Sequence, residues 1–170
     1  MNETGVVEFF PTSVSGLLMK PVISIPDFRG RVLKLFTNND FPDENISVSY
    51  RNVLRGIHYV TEGYRILTPI YGSLYVVFLD LQEGSPTKYD VLSMTINESN
   101  RKSFLIPPYI GCGFLVLSGV GIVHYKWKPK YDQSKQRTVC YDNENFNIYW
   151  PIIDPILSER DFYADESLIR

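Results

Sequence analysis

His58 is the residue of this chain that is best placed by its neighbours to do chemistry. It is one of only two histidines and stands in the segment RNVLRGIHYV (residues 51–60), which otherwise has the pattern of an apolar strand. Imidazole ionises near neutral pH, so a histidine in a pocket can remove a proton from a substrate or return one. A lone histidine on an apolar strand is more often a packed core residue, and the segment alone leaves both interpretations open.

Arg55 precedes His58 by three residues and carries a permanent charge in a planar fork that suits phosphate groups. On a regular strand, residues three apart point to opposite faces, so the two side chains would not meet. Gly56 lies between them, and a glycine inside a strand often marks a bulge. We therefore expect a bulge or twist at Gly56 that brings both side chains to one cavity.

Three other kinds of site receive little support from the sequence. A cupin-type metal centre needs two histidines two residues apart and further ligands, whereas His58 and His124 lie in separate predicted strands. The chain has no G-x-S-x-G nucleophile elbow. The glycines of SGVGIVHYK (residues 118–126) are not followed by a helix pattern, as a phosphate-binding loop requires. We expect no metal and no dinucleotide.

Composition describes a globular chain of 170 residues, which we interpret as a single domain over residues 1–170. Aromatic residues make up 14% of the chain, with 12 Tyr and 10 Phe, and this favours strands. The net charge of −2 provides no basic field for nucleic acid. A small anionic ligand is compatible with it, because a few converging arginines suffice.

The cellular setting is predicted from what the sequence lacks. Cys112 and Cys140 form neither a CxxC pair nor a disulfide framework. The opening MNETGVVEFF has no basic region followed by an apolar one, and no apolar run approaches the ~18–20 residues that cross a bilayer. We expect a cytoplasmic protein without a membrane partner.

Strand-like segments fill most of the chain. β-branched and aromatic residues concentrate in eight runs, at residues 16–25, 29–36, 46–59, 64–81, 88–96, 102–108, 113–127 and 137–142. Turn formers such as PPYIGCG separate them, and only TNNDFPDEN and the last dozen residues are irregular or helical in pattern. This spacing predicts an all-β sandwich or barrel, with a jelly roll as its closed form.

The run SLYVVFLDL (residues 73–81) is apolar on both faces, so both should be buried. A small barrel would bury both, and so would a second molecule covering the outer face of a sandwich. Because edge strands of such sheets are often protected by pairing across a dimer, we expect a homodimer.

Seven blocks follow one another along the chain: NVLRGIHY, DLQEGSPT, NESNRKSFLIPP, GFLVLS, HYK, IYWP and ILSERD. In order and spacing, from about Phe28 to Asp161, they resemble the nucleotide-sugar 3,5-epimerase family, which includes dTDP-4-dehydrorhamnose 3,5-epimerase. The resemblance implies a cupin-like jelly-roll barrel with a short irregular or helical C-terminal segment. It also implies a homodimer that uses no metal or organic cofactor. Members of the family invert carbons adjacent to the ketone of a 4-keto nucleotide-diphospho-sugar.

This chemistry requires a base on one face of the sugar, an acid on the other, and donors around the ketone oxygen that stabilise the enolate. The resemblance gives His58 the role of base, with Asp161 orienting it. It gives Tyr125, of the tyrosine–lysine pair after the GFLVLS strand, the role of acid. His124 points the other way on a regular strand, so we expect it to be structural or surface-facing.

The resemblance also assigns substrate-binding groups. Those for the pyrophosphate and sugar correspond to Arg29, Asn45, Arg55 and Arg65, the last standing where the family usually has lysine. Cys112 replaces a second histidine of the rhamnose-pathway enzymes and is expected in the same pocket. We give Arg29 and Arg65 less weight than Arg55, because an isolated strand arginine is usually an exposed surface charge.

Three departures from the rhamnose-pathway pattern bear on the substrate. Besides Cys112, Lys34 replaces a glutamate that contacts thymidine, and Thr68 replaces an arginine. These positions also vary in GDP-sugar epimerases that act on 4-keto-heptoses for bacterial capsules. We therefore favour a GDP-linked 4-keto-heptose or hexose with inversion at C3, and the sequence leaves inversion at C5 open.

Other functions remain open at this point. The first alternative is a 3,5-epimerase of a dTDP-4-keto-6-deoxyhexose. A ketoisomerase on the same scaffold would need a differently built histidine pair. A non-catalytic nucleotide-sugar binder would have had no reason to retain His58, Tyr125 and Asp161 together.

Overall fold

The computed structural model describes residues 8–28, 30–35 and 40–164, and the regular secondary structure in this part of the chain is almost entirely β-strand. Its strands, in chain order, are β1 (Phe10–Pro11), β2 (Leu18–Pro21), β3 (Ile23–Asp27), β4 (Gly30–Lys34), β5 (Asp43–Tyr50), β6 (Leu54–Val60), β7 (Tyr64–Tyr71), β8 (Leu74–Asp80), β9 (Val91–Ile96), β10 (Lys102–Ile106), β11 (Ile110–Val116), β12 (Val120–Lys128) and β13 (Gln136–Thr138). A one-turn helix, α1 (Glu159–Phe162), lies near the C-terminal end of the described chain.

Two sheets form the body of the fold. One has six strands in the order β1-β2-β10-β7-β12-β5, and the other has five in the order β13-β6-β11-β8-β9. A separate hairpin pairs β3 with β4. Neighbouring strands in both sheets are antiparallel and mostly distant in sequence, as in a jelly roll. The all-β, jelly-roll prediction is confirmed.

The main core lies between these sheets. Inward side chains from the six-stranded sheet, such as Phe104 and Val123, join others from the five-stranded sheet, such as Phe78 and Phe114. The rings of Phe78 and Phe104 lie 4.7 Å apart between centroids. Burial of each such side chain contributes ~1.5–3 kcal/mol to the stability of the fold, so together they hold the two sheets firmly against each other.

A second core covers the outer face of the five-stranded sheet. Val77 and Leu79, which alternate along β8 with inward residues, pack there against Phe146 and Trp150 from the segment that follows β13. Both faces of β8 are therefore buried, as expected. The chain's own C-terminal segment covers the outer face in place of a partner molecule, so this burial is no argument for a dimer.

Several predicted strand limits were wrong. The runs at residues 46–59, 64–81 and 113–127 each divide into two strands at a turn. PPYIGCG was interpreted as a turn, but β11 begins at Ile110 and its glycines lie in a buried strand. A Cβ on Gly111 would come within 2.6 Å of the Ile57 side chain, so the glycine allows two strands to approach closely. No helix of the described residues is long and apolar enough to cross a membrane.

Candidate active site

A cavity of about 290 Å³ opens between the two sheets and gathers polar side chains from both. The residues that line it are Asn45, Ser47, Arg55, His58, Arg65, Cys112, Tyr125, Trp127, Tyr131 and Gln136. Six of these were predicted as site residues from the sequence. Asp161 lies directly behind His58, and Arg29 falls outside the described residues.

His58 and Asp161 form a close pair at the cavity wall. Nε2 of His58 lies 2.6 Å from Oδ1 of Asp161, and the Asp161 side chain is only 3% exposed. An ionised carboxylate can only accept, so Nε2 carries the proton and Nδ1 is left as the nitrogen that can take another. This arrangement fixes the tautomer and the orientation of the ring.

Two hydrogen bonds hold Asp161 in place, one at its backbone N–H and one at its carboxylate. Asp161 lies in α1, whose N-cap residue Ser158 accepts the Asp161 N–H at 3.2 Å. The N–H of Gly56 donates to Oδ2 at 3.4 Å. Burial raises the pKa of Asp161, but the hydrogen bond and charge of His58, with these backbone and cap contacts, hold it below its ordinary value. The group is therefore a carboxylate at neutral pH.

An irregularity in β6 brings Arg55 and His58 to the same cavity. Across the β6–β11 pairing, Cys112 lies opposite His58 and Phe114 lies opposite Arg55. An advance of two residues along β11 therefore corresponds to three residues along β6, which is a β-bulge. Gly56 in this stretch has φ of +119°, which side chains rarely adopt. A Cβ there would lie 2.6 Å from Cα of Gly113. The expected bulge is present where glycine is required.

Tyr125 extends from β12 into the cavity. Burial raises the pKa of its hydroxyl well above the ordinary value, and the neighbouring Cys112 adds to this while Arg65 and Arg55 oppose it. The hydroxyl is therefore protonated at neutral pH and can donate a proton or a hydrogen bond. Its ring stacks on Trp127, with centroids 6.0 Å apart, and this limits its movement.

Arg65 is a buried cation, only 3% exposed, although the sequence suggested an ordinary strand charge. Its Nη2 donates to the carbonyl oxygens of His58, at 2.6 Å, and Ile110, at 3.0 Å. Its Nε makes no hydrogen bond in the described part of the chain. Burial lowers the pKa of Arg65, yet a guanidinium stays charged in proteins. The cavity thus has a fixed positive charge in its wall.

Arg55 and Asn45 lie on the open side of the cavity and are both exposed. Arg55 Nε donates to Oγ of Ser49 at 2.8 Å, which orients the guanidinium and leaves its outer nitrogens for a ligand. The cavity therefore has one exposed and one buried arginine. Two such charges are suited to a ligand with a pyrophosphate and a further electronegative oxygen.

Cys112 lines the cavity opposite His58 in the strand pairing. Burial raises the pKa of its thiol to about 11, although the charge of Arg65 opposes this. The thiol is therefore neutral at physiological pH. The other departures lie elsewhere, because Thr68 is buried and hydrogen-bonded to Ser103 at 2.7 Å, and Lys34 is exposed at the end of β4.

His124 faces away from the cavity, as its alternation with Tyr125 indicated. Its Nε2 lies 3.1 Å from Oε2 of Glu44, and the same oxygen is 3.4 Å from Nζ of Lys126. Across the described residues, no group of three or more His, Cys, Asp or Glu side chains is arranged to hold a metal ion.

Four lining residues were not predicted: Ser47, Trp127, Tyr131 and Gln136. Ser47 and Trp127 could have been found, since each lies two residues along its strand from a predicted one and shares its face. Tyr131 lies in the connection between β12 and β13, and Gln136 is the first residue of β13, so no strand periodicity indicates where their side chains point. Tyr131 packs on Trp127 and donates to Oε1 of Gln136 at 2.5 Å.

Comparison with known proteins gives evidence on the family of this chain that is independent of the geometry of the site. A family model described as dTDP-4-dehydrorhamnose 3,5-epimerase matches residues 11–167. A protein of that name from Methanothermobacter thermautotrophicus is 30% identical over 167 residues, which cover 90% of each chain.

Solved structures are similar over the same length. A dTDP-6-deoxy-D-glucose 3,5-epimerase from Legionella pneumophila, in complex with dTDP-4-keto-L-rhamnose, has a TM-score of 0.86 at 25% identity. The match covers 97% of this chain and 95% of that one. A 3'-monoepimerase from Streptomyces bikiniensis in complex with dTDP-quinovose has a TM-score of 0.84 at 25% identity, covering 91% and 85%. The chain belongs to the dTDP-4-dehydrorhamnose 3,5-epimerase family.

Proposed function

We propose that this protein is an epimerase that inverts a carbon adjacent to the ketone of a dTDP-4-keto-6-deoxyhexose. The observation that carries the proposal is the His58–Asp161 pair at 2.6 Å, in a cavity that also contains a protonated phenol and two arginines. A C–H bond next to a ketone is weakly acidic, and a base and an acid placed around one sugar ring can invert it.

In the proposed mechanism, His58 Nδ1 removes the proton and Asp161 stabilises the imidazolium that forms. The electrons of the broken C–H bond form a double bond to the ketone carbon, and the carbonyl π electrons move onto the oxygen, which gives an enolate with its charge on that oxygen. Arg65 supplies a fixed positive charge for that oxygen. The attraction between the two strengthens as negative charge develops on the enolate. Tyr125 then donates its proton to the opposite face of the carbon. Arg55 and Asn45 bind the diphosphate, and Arg29 is proposed for the same role.

The substrate proposed here is the alternative from the sequence analysis. A GDP-linked 4-keto-heptose was favoured there because of Cys112, Lys34 and Thr68. The relatives described above are instead named for, or bound to, dTDP-linked sugars. Thr68 and Lys34 also lie outside the lining of the cavity in the described chain, so of the three departures only Cys112 faces it.

A homodimer in the cytoplasm remains our proposal for the assembly. Strand β5 lies at an edge of the six-stranded sheet, and its outward residues Ile46, Val48 and Tyr50 are all more than half exposed. An apolar stripe on an unpaired edge is the feature that dimers commonly cover. Sedimentation of the purified protein tests this, and a monomer at micromolar concentration would contradict it.

The function is tested by proton exchange. The protein is incubated in deuterated water with a dTDP-4-keto-6-deoxyhexose or a GDP-4-keto-heptose, and the sugar is analysed by mass and by NMR. We expect deuterium in the dTDP-sugar. Label at one carbon would indicate a monoepimerase, and label at both carbons a 3,5-epimerase. Incorporation only into the GDP-sugar would reverse the substrate assignment, and none into either would contradict the epimerase proposal.

A further inference from the structure

Arg160, the residue before Asp161, connects α1 to the strand beside His58. Its Nε donates to Oγ1 of Thr138 at 2.9 Å, and its Nη1 donates to Oε1 of Gln136 at 3.4 Å. Both acceptors belong to β13, in which Thr138 pairs with His58 of β6. The guanidinium therefore spans from the helix that carries the carboxylate to the strand that flanks the histidine.

Helix α1 needs such contacts, because a single turn has little stability of its own. Its only buried residue is Asp161, and Phe162 is 66% exposed. The chain before the helix is anchored, since the Ile156 N–H donates to the Asn52 carbonyl at 2.8 Å. On the helix itself, Arg160 supplies a second side-chain anchor beside the Asp161 carboxylate.

Arg160 does not line the cavity, but one of its acceptors does. Oε1 of Gln136 receives both the Arg160 guanidinium and the hydroxyl of Tyr131, and Gln136 and Tyr131 are cavity residues. The chain of contacts thus runs from the cavity wall to the helix. Because Nε and Nη1 of Arg160 donate hydrogen bonds to β13, the guanidinium is directed toward the protein and not into the cavity.

We propose that Arg160 is a positioning residue, which holds α1 against β13 so that Asp161 meets His58 at hydrogen-bond distance. Gln136 ties this brace to the wall of the substrate cavity. The inference rests on the proposed function for its catalytic consequence, but the geometry that it describes can be measured without any substrate. Small displacements of an orienting group are costly, at about 10²-fold in rate for ~1 Å.

The direct test observes the proton between His58 and Asp161 by NMR. A proton in a short N–H···O bond resonates at low field, and assignment is simple because the chain has two histidines. We expect Arg160→Met to shift this resonance upfield or broaden it beyond detection. Arg137→Met is the matched control, because Arg137 is exposed, lies on the same strand, β13, and donates through Nη1 to the carbonyls of Ser134 and Gln136. It should leave the resonance unchanged.

The kinetic test separates positioning from binding. Arg160→Met should lower kcat about 10- to 100-fold with KM changed less than about twofold, and Arg160→Lys should recover part of the loss by donating to one acceptor. Thr138→Val removes that acceptor and should lower kcat in the same direction. Combined with Arg160→Met, Thr138→Val should add little, because Arg160→Met already removes the hydrogen bond to Thr138 together with the one to Gln136.

Several outcomes would overturn the inference. An unchanged low-field resonance in Arg160→Met would show that the pair does not depend on the brace. A raised KM with unchanged kcat would make Arg160 a binding residue. Equal losses of thermal stability and rate in the Arg160 and Arg137 variants would indicate general unfolding. Should the protein lack epimerase activity, the NMR result still decides the positioning role, so the two failures are distinguishable.

Discussion

The two histidines of this chain both pair with a carboxylate, yet they lie in very different surroundings. His58 meets Asp161 at 2.6 Å, with the carboxylate 3% exposed and the imidazole at a cavity wall. His124 meets Glu44 at 3.1 Å, with the carboxylate 61% exposed and shared with Lys126. A histidine–carboxylate pair is therefore no indicator of function by itself.

What differs is the freedom of each carboxylate. Asp161 is fixed by Ser158 and by the Gly56 N–H. It therefore holds the His58 imidazole in one orientation and leaves Nδ1 of that ring for a substrate. Glu44 lies on the surface, where water and salt weaken its interactions and its side chain can rotate. We therefore expect proton transfer at the His58–Asp161 pair and at most a minor contribution to stability from the His124–Glu44 pair.

The largest expected effect separates the histidines themselves. His58→Asn should lower deuterium incorporation by at least ~10²–10⁴-fold, because it removes the proposed base and leaves a smaller polar side chain in its place. His124→Asn should retain activity within about twofold. The rate of exchange into the 4-keto sugar checks both. Equal losses of activity in the two variants would show that the two histidine–carboxylate pairs do not differ in function.

The carboxylates give the next effect in size. Asp161→Asn should lower kcat by about 10²-fold, because an amide can donate to Nε2 and would then favour the wrong tautomer of His58. KM should change little, since Asp161 does not line the cavity. Glu44→Gln serves as the matched control and should leave kcat unchanged. A loss confined to KM in Asp161→Asn would indicate a role in binding.

The two pairs also show what the sequence could predict. Alternation along β12 correctly separated His124 from Tyr125, because the side-chain period of a strand is a local property. The pairing of His58 with Asp161 joins residues 103 positions apart, and only the family resemblance suggested it. The sequence also indicated the bulge at Gly56, since a glycine between two functional residues has a local physical meaning.

Other features depended on packing that no local pattern encodes. PPYIGCG was interpreted as a turn because its glycines and prolines favour one, yet Gly111 is needed where β11 approaches the side chain of Ile57. Burial of both faces of β8 was expected from a small barrel or from a partner molecule, whereas the outer cover comes from Phe146 and Trp150, which lie far along the same chain. Arg65 resembled a surface charge, and its burial follows from the assembly of both sheets.

A third prediction concerns the bulge that brings Arg55 to His58. Gly56→Ala would place a Cβ 2.6 Å from Cα of Gly113 and 2.7 Å from the carbonyl oxygen of Cys112, both backbone atoms that cannot move away cheaply. We expect the free energy of unfolding to fall by on the order of 3 kcal/mol, with loss of exchange activity.

The control for this substitution is Gly119→Ala, because a Cβ at Gly119 meets no atom within 4 Å. It should change the free energy of unfolding by less than about 0.5 kcal/mol. Urea denaturation of both variants makes the measurement. A Gly56→Ala protein of normal stability, with Arg55 still facing the cavity, would show that the bulge does not require glycine.

The smallest expected effect is the pH dependence of stability. The pKa of Asp161 is held below its unfolded value, so the ionised group stabilises the fold at pH above ~4, and this contribution is lost as the pH falls through the folded pKa. The difference in free energy of unfolding between wild type and Asp161→Asn should therefore shrink as the pH falls from neutral toward 3.

Glu44 distinguishes this effect from that of a surface charge. The hydrogen bond from His124 and the charge of Lys126 also lower the pKa of Glu44, so Glu44→Gln should show the same sign of pH dependence. Because Glu44 is exposed, that dependence should be weaker and should disappear in ~1 M salt, where the screening length falls to about 3 Å. The dependence due to Asp161 should persist, since its partner contacts are buried. Equal salt sensitivity of the two variants would show that burial does not separate the two pairs.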